Sequence, residues 1–593
     1  MKIREKIRKS HKKSNDLFCG ERDSFLGEKE KLSDEDLSHN GVFAELGKLI
    51  QATGCCEKAL EINPRTDVAA NNNGLSLFRC GKLPEAIEFY NNALKTNPRF
   101  AAAWRNKGNA LEKTGKCWEA LVCYDEALEI NPRFAGAWYN KGIVLEKLGK
   151  NKEALECFEK VLGLKPLDFK AWLNKGRALF NLGKPTEALQ CYDTALGINP
   201  GYMRAWYAKG NTLFYLKKPQ DALGCYEKAL KINPRYARVW FNKGRALKDL
   251  GKSWEALECF DKALGINPGF ADAWFNKGNT HYILGQPQEA LVCYDEALGI
   301  NPLYEDAWNN KGFTLGNLGK NEEALGCFDK VLEINRRNDK AWLNKGNALA
   351  YLRKSQEALE CYDTVLAINP LFEDAWNNKG IVLEKMGKRW EALVCYDEAL
   401  EINPLFEDAW NNKGIVLEKL GKNREALGCF EKALTINPRD TKVWLNKGSV
   451  LNNLGKPQEA LSCYDTALEI NPRYARVWYN KGNTLFNLGK PQEALGCYDT
   501  ALEINPGYAR AWYNKGNTLF SLGKSAEALR CYDKALEIRP GYVDAWFSKG
   551  VALEKLGKTK EAVHYFQKFI DLAPPHYASH VEHVKQMMNQ MRW

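Results

Sequence analysis

The sequence predicts an all-α solenoid of antiparallel helix pairs, and three observations carry that expectation. Prolines recur every 34 residues, two apolar patterns of helical spacing fill each interval, and a tryptophan returns at one phase from Trp104 to Trp546. A two-helix unit of this length cannot bury both faces alone. It must stack on its neighbours, which gives one continuous core.

The prolines set the ruler. Pro64, Pro98, Pro132, Pro166, Pro200, Pro234, Pro268 and Pro302 stand 34 residues apart. Arg336 takes the next position, and the series resumes at Pro370 and runs to Pro574. With that proline called slot 32, sixteen units cover residues 33–576. In the unit at 101–134, Trp104, Gly108 and Leu111 mark a first helix that Gly115 ends. Ala120, Tyr124, Ala127 and Leu128 mark a second, which stops before Asn131-Pro132 because proline disfavours helical geometry in the residue before it. Pro185, Pro219, Pro287, Pro457 and Pro491 open second helices, where a missing N–H costs little. Glycine inside a helix costs roughly 1 kcal/mol relative to alanine, so its return at slot 8 needs a steric reason. Close approach of Gly108 to Ala120 is the expected one, with the Trp104 ring filling space between neighbouring helices.

The ends differ from the middle. Residues 1–32 are expected to form a basic, disordered arm, with seven Lys or Arg in the first thirteen residues. The unit at 33–66 is divergent, having Asp36 and Asn40 where tryptophan and glycine are expected. Fifteen regular units occupy 67–576, and 577–593 reads as a helix whose apolar side caps the last of them. A longer echo also runs through the chain. GKCWEALVCYDEALEINP at 115–132 returns as GKRWEALVCYDEALEINP at 387–404, a shift of eight units that points to block duplication.

Composition narrows function. The chain has 45% hydrophobic and 27% charged residues, and no apolar run of membrane-spanning length; a cytoplasmic protein without a membrane partner is the expectation. Cys55 and the cysteines from Cys123 to Cys531 share one phase and read as small buried hydrophobes of a reducing compartment. The GK pairs lack phosphate-loop spacing and a preceding strand, so they are helix turns. His576, His580 and His583 complete no familiar metal spacing, and no nucleophile–base set assembles. Neither a cofactor nor an enzymatic activity is expected.

Slots 4, 8, 20, 24, 27 and 32 resemble the tetratricopeptide repeat pattern, as Trp104, Gly108, Ala120, Tyr124, Ala127 and Pro132 and again as Trp478, Gly482, Ala494, Tyr498, Ala501 and Pro506. The resemblance covers about nine-tenths of the chain and implies a right-handed superhelix. Slot 7, usually leucine in that family, is lysine here from Lys107 to Lys549, with its ammonium expected to reach water.

The resemblance also implies that slots 2, 5, 6, 9, 12 and 13 line a concave groove. Slot 6 is a row of asparagines, whose amides can pair with a peptide backbone: Asn106, Asn140, Asn174, Asn242, Asn276, Asn310, Asn344, Asn378, Asn412, Asn446, Asn480 and Asn514. The other reading is that these amides bond within their own scaffold. Two stretches add basic and aromatic groups: Lys170, Arg204 and Arg238 with Tyr207 and Phe241, then Arg476 and Arg510 with Tyr479 and Tyr513. Asn109 and Asn483 hold slot 9. Arg105, Asn109, Asn140 and Lys170 partly match the carboxylate clamp of chaperone-binding relatives, but Asn174 stands where that motif has a basic residue. The expected partners are therefore extended protein segments. Self-association through the other face or the ends is the alternative, and nucleic acid is disfavoured.

Overall fold

Each interval between successive slot 32 positions holds one helix pair. In the computed structural model, which describes residues 67–591, thirty-one α-helices follow one another, with no strand among the described residues. The expected arm, the divergent unit at 33–66 and Cys55 lie outside the described residues. First helices run for 13 residues, as in Ala101–Lys113, and second helices for 14, as in Cys117–Ile130. The chain divides between Pro302 and Leu303 into two α-solenoid units. The first has seven described helix pairs; the second has eight, followed by the helix Ala578–Met591. Val584 and Met588 of that last helix pack on Leu553, Phe566 and Phe569.

The turn between paired helices needs a left-handed residue at slot 15. Glycine supplies it at Gly115 (φ 83°) and Gly149 (φ 74°), but Lys217 (φ 58°) and Arg353 (φ 62°) take the same slot in two units. A side chain in that region costs roughly 1–2 kcal/mol, partly offset by glycine's greater freedom when unfolded. Lys217→Gly and Arg353→Gly are each expected to raise local stability by up to about 1 kcal/mol, read by hydrogen exchange in the flanking helices.

The close approach inside each pair is made by a ring. A Cβ on Gly108 would lie 2.6 Å from Cε1 of Tyr124, and the same clash with slot 24 recurs from Gly74 on Tyr90 to Gly550 on Phe566. The expected slot 20 neighbour is close as well, its backbone oxygen standing 3.1 Å from the same Cβ position in Gly74 on Ala86 and in Gly176 on Ala188, but the slot 24 ring is the nearer contact. Ala120 itself is buried.

The slot 4 indoles are half-buried rather than buried. Those from Trp104 to Trp274 and from Trp342 to Trp546 donate Nε1–H to the slot 32 carbonyl of the preceding repeat, as Trp104 does to Pro98 at 2.9 Å and Trp240 to Pro234 at 2.9 Å. Trp342 makes the same bond to Arg336 at 3.0 Å, so the acceptor is the backbone and not the proline ring. Slot 7 lysine crosses the indole, with Lys141 Nζ 5.4 Å from the Trp138 ring centre. Its ammonium does not simply reach water. It meets a slot 25 carboxylate of the unit before, as in Lys175–Glu159 at 3.0 Å and Lys379–Asp363 at 2.6 Å. Each such half-exposed pair contributes on the order of 0.2–1 kcal/mol.

The thirteen described cysteines from Cys123 to Cys531 are all buried; Cys80 is exposed and Cys117 half-buried. Burial pushes the thiols of Cys123, Cys157 and Cys497 up to about 11. Iodoacetamide at pH 8 is expected to label Cys80 first and Cys117 more slowly, and to spare the thirteen until denaturant is added. Because these folded thiols hold protons that unfolded thiols lose, stability is full below about pH 8.5 and falls as pH rises toward 11.

Candidate polypeptide-binding face

Residues at slots 2, 5, 6, 9, 12 and 13 lie on the first helices, and the two ends of that helix face differ in exposure. At slot 2, Lys170, Arg204, Arg476 and Arg510 are exposed and Arg238 is half-buried. Arg105 is half-buried, set over the Phe134 ring at 5.2 Å while its Nη2 donates to Asn106 at 2.8 Å. Burial lowers the pKa of its guanidinium.

Slot 5 rings sink into the scaffold. Phe241 is only 9% exposed, wedged between Phe260 (6.0 Å) and Phe270 (4.8 Å). It is a core residue, which corrects its expected role as a groove anchor. Tyr207, Tyr479 and Tyr513 are half-buried with rings in corresponding places, such as Tyr479 beside Tyr508 at 4.9 Å. Their hydroxyls still reach the neighbouring unit: Asn242 donates to Tyr207 at 3.1 Å and Asn514 to Tyr479 at 3.1 Å.

The slot 6 amides mostly tie one unit to the one before. Asn106 donates to Asn71 (3.0 Å), Asn174 to Tyr139 (2.8 Å), Asn344 to Asn309 (3.1 Å), Asn412 to Asn377 (3.0 Å) and Asn446 to Asn411 (3.0 Å), all at slot 5. Asn140 and Asn378 donate instead to slot 9, to Asn109 at 2.6 Å and Asn347 at 3.0 Å. Asn276 turns to its own helix, at Asp272 O (2.9 Å), while Lys248 of the unit before donates to its Oδ1 at 3.2 Å. Asn310 sits at the same slot, half-buried, in the first pair of the second unit.

Asn480 is different. The preceding unit offers it Leu445 and Ser449 at slots 5 and 9, and its amide makes no hydrogen bond among the described residues. Thr484 Oγ1 donates to the Asn480 backbone oxygen at 3.0 Å.

Slot 9 asparagines are structural pivots that sequence reasoning missed. Asn483 Oδ1 accepts both from Tyr498 OH at 2.8 Å and from Asn514 at 2.7 Å, and Asn109 does the same for Tyr124 and Asn140. The signal was present: Asn109, Asn211, Asn279, Asn347, Asn483 and Asn517 each share a unit with tyrosine, never phenylalanine, at slot 24. Removing Asn242 should take one donor from Tyr207 and one of the two from Asn211, which keeps its bond from Tyr226, and cost about 1–3 kcal/mol, seen as faster amide exchange in 203–249.

The clamp-like set is engaged by neighbouring side chains. Asn140 binds Asn109, Arg105 binds Asn106, and Lys170 stands over Phe169 at 6.0 Å. At the chain's end, His576 and His580 pack against Tyr577, and Glu582 faces Lys585. Among the described residues no three His, Cys, Asp or Glu side chains gather as a metal site, and no helix is long and apolar enough to cross a membrane.

Comparison with known proteins follows the same units. A tetratricopeptide repeat family model matches residues 101–134 and then, unit by unit, 204–542, more than half of the chain. Related repeat models match 74–115, 139–202 and 531–564. Comparison with curated proteins gave no match. Among solved structures, the APC/C hetero-tetramer Cut9-Hcn1 aligns over 81% of this chain and 95% of its own at 17% identity, with a TM-score of 0.41. YrrB, described as a TPR protein with an unusual peptide-binding site, aligns over 32% of this chain and 97% of its own at 29% identity and a TM-score of 0.28. MamA is similar over 27% of this chain and 93% of its own, at 28% identity and a TM-score of 0.26. With its 34-residue helix pairs, its slot 8 glycines under slot 24 rings and a family model matched unit after unit, the chain belongs to the tetratricopeptide repeat family.

Proposed function

We propose that this protein-interaction scaffold captures extended polypeptide segments on the face formed by its first helices. The observation that carries the reading is the state of the slot 6 row. In Asn140, Asn174, Asn344, Asn412 and Asn446 one N–H is used by the neighbouring unit, while the amide oxygen accepts no bond; the Asn480 side-chain amide makes neither kind of bond among the described residues. A bond that fixes an amide's orientation while sparing its oxygen preorganises it to accept from a peptide N–H. Exposed charges at slot 2 change sign along the second unit, from Asp374 and Asp408 to Lys442, Arg476 and Arg510, and would set the register of a bound segment. Burial raises the pKa of Asp374, and the nearby Glu373 and Asp408 carboxylates add to the rise, so this stretch favours cationic side chains.

The test is Asn480→Ala in the full chain against peptides selected from a displayed random library. Loss of one hydrogen bond of about 0.5–1.5 kcal/mol should weaken binding roughly three- to tenfold, with helix content and unfolding unchanged. Unaltered affinity of every selected peptide counts against the row.

One observation favours a second reading, self-association through the second helices. Trp118 (60% exposed) and Trp390 (61%) stand at the same slot in duplicated blocks, each beside an exposed valine and under a lysine, Lys150 at 4.7 Å and Lys422 at 5.3 Å. Exposed tryptophan beside valine is unusual on a surface without a partner. Sedimentation at several concentrations, with W118E/W390E as comparison, separates the readings: a monomer throughout removes the second.

A further inference from the structure

The second unit holds a cavity of about 590 Å³ lined in part by two small residues of successive repeats, Gly316 and Ala350. Both occupy slot 12. In five other units the same slot is phenylalanine: Phe78, Phe180, Phe214, Phe486 and Phe520.

Those units show what the missing rings would touch. Phe180 meets Tyr215, at slot 13 of the next unit, edge-on with ring centres 5.1 Å apart. Phe520 lies under slot 13 Lys555, whose Nζ is 5.1 Å from the ring centre. At the cavity the slot 13 partners are present and the slot 12 rings are not. Gly316 precedes Tyr351, which is left 79% exposed, and Ala350 precedes the exposed Lys385. An aromatic edge and a cation each lack the ring that the fold elsewhere supplies from its own chain.

We propose that this notch receives an aromatic side chain of a bound polypeptide, seated where a slot 12 phenylalanine would lie, against Tyr351 and under Lys385. A polypeptide is favoured as the source because the slot 6 amides of Asn344 and Asn378 also line the cavity, within reach of the backbone on either side of the ring. An acidic residue next to that ring would pair with Lys385. The assignment rests on the proposed capture of extended segments and names the feature that selects among them. A ring entering a preformed, partly apolar recess is the usual form of a dominant contact.

The experiment uses the full chain and a displayed library of random twelve-residue peptides. The variant G316F/A350F fills the notch with the side chain that this fold accepts at slot 12 in five other units. Peptides retained by the parent chain are expected to share a Phe, Tyr or Trp, and to bind G316F/A350F at least tenfold more weakly. Changing that aromatic residue to alanine in the peptide should weaken binding to the parent chain by a similar factor, a readout that does not depend on how the variant folds. Selected peptides without a common aromatic residue, or bound equally by parent and filled chains, overturn the notch; if Asn480→Ala still weakens them, capture on the first helices stands. Retention of no peptide overturns both.

Discussion

Tyr226→Ala is expected to cost about 3–5 kcal/mol of local stability, more than Trp240→Ala at about 1–3 kcal/mol. The tryptophan is the more recognisable landmark, yet Tyr226 is 0% exposed and Trp240 is half-buried. Truncating the tyrosine opens a cavity beneath Gly210, which lies within 2.6 Å of the ring as measured from a Cβ position, and takes one of the two donors from Asn211, bonded at 3.0 Å. Loss of the indole removes one exposed-side hydrogen bond and part of a ring contact. Because repeat arrays unfold in pieces, one global midpoint would blur the difference. Hydrogen exchange across 203–249 resolves it. Greater loosening by Trp240→Ala would reverse the ranking of these two contacts. Tyr226→Phe, which keeps the ring, should cost only about 1 kcal/mol.

Gly482→Ala is the second large effect, and its sign is the informative part. By helix propensity alone the change should stabilise by about 1 kcal/mol. The new methyl would stand 2.7 Å from Cε1 and 3.0 Å from Cδ1 of Tyr498, a ring 1% exposed and held by Asn483. The ring cannot rotate away without losing that bond, so overpacking of about 1–3 kcal/mol outweighs the propensity gain. Exchange in both helices of 475–504 should quicken. Adding Tyr498→Leu, which removes the obstructing ring, should recover part of the loss; a single alanine that stabilises would show the glycine to be unneeded.

Helix boundaries were legible because Gly115 and Pro132 each act through their own backbone geometry, which needs no knowledge of the partner. Contacts were less so. Ala120 and Tyr124 are one helical turn apart on one face, so periodicity could not say which of them stands nearer Gly108. The tryptophans suggested burial by their recurrence, but an indole N–H needs an acceptor, and the one available is a carbonyl at the edge of the preceding unit. Slot 6 showed its face but not its partners, which stand 31 or 35 residues back and depend on slots 5 and 9 of another unit. The notch was written in the chain as two missing phenylalanines, Gly316 and Ala350. It became visible only once Phe180 and Phe520 showed where such rings go.

Photo-crosslinking of a selected peptide, with the reactive group moved through each of its positions, tests the place of capture most directly. Adducts are expected on first-helix positions of slots 2, 5, 6, 9, 12 and 13, Asn480 and Tyr351 among them. Adducts confined to the second helices around Trp118 and Trp390 would contradict capture on the first-helix face and leave the opposite surface as the one that binds.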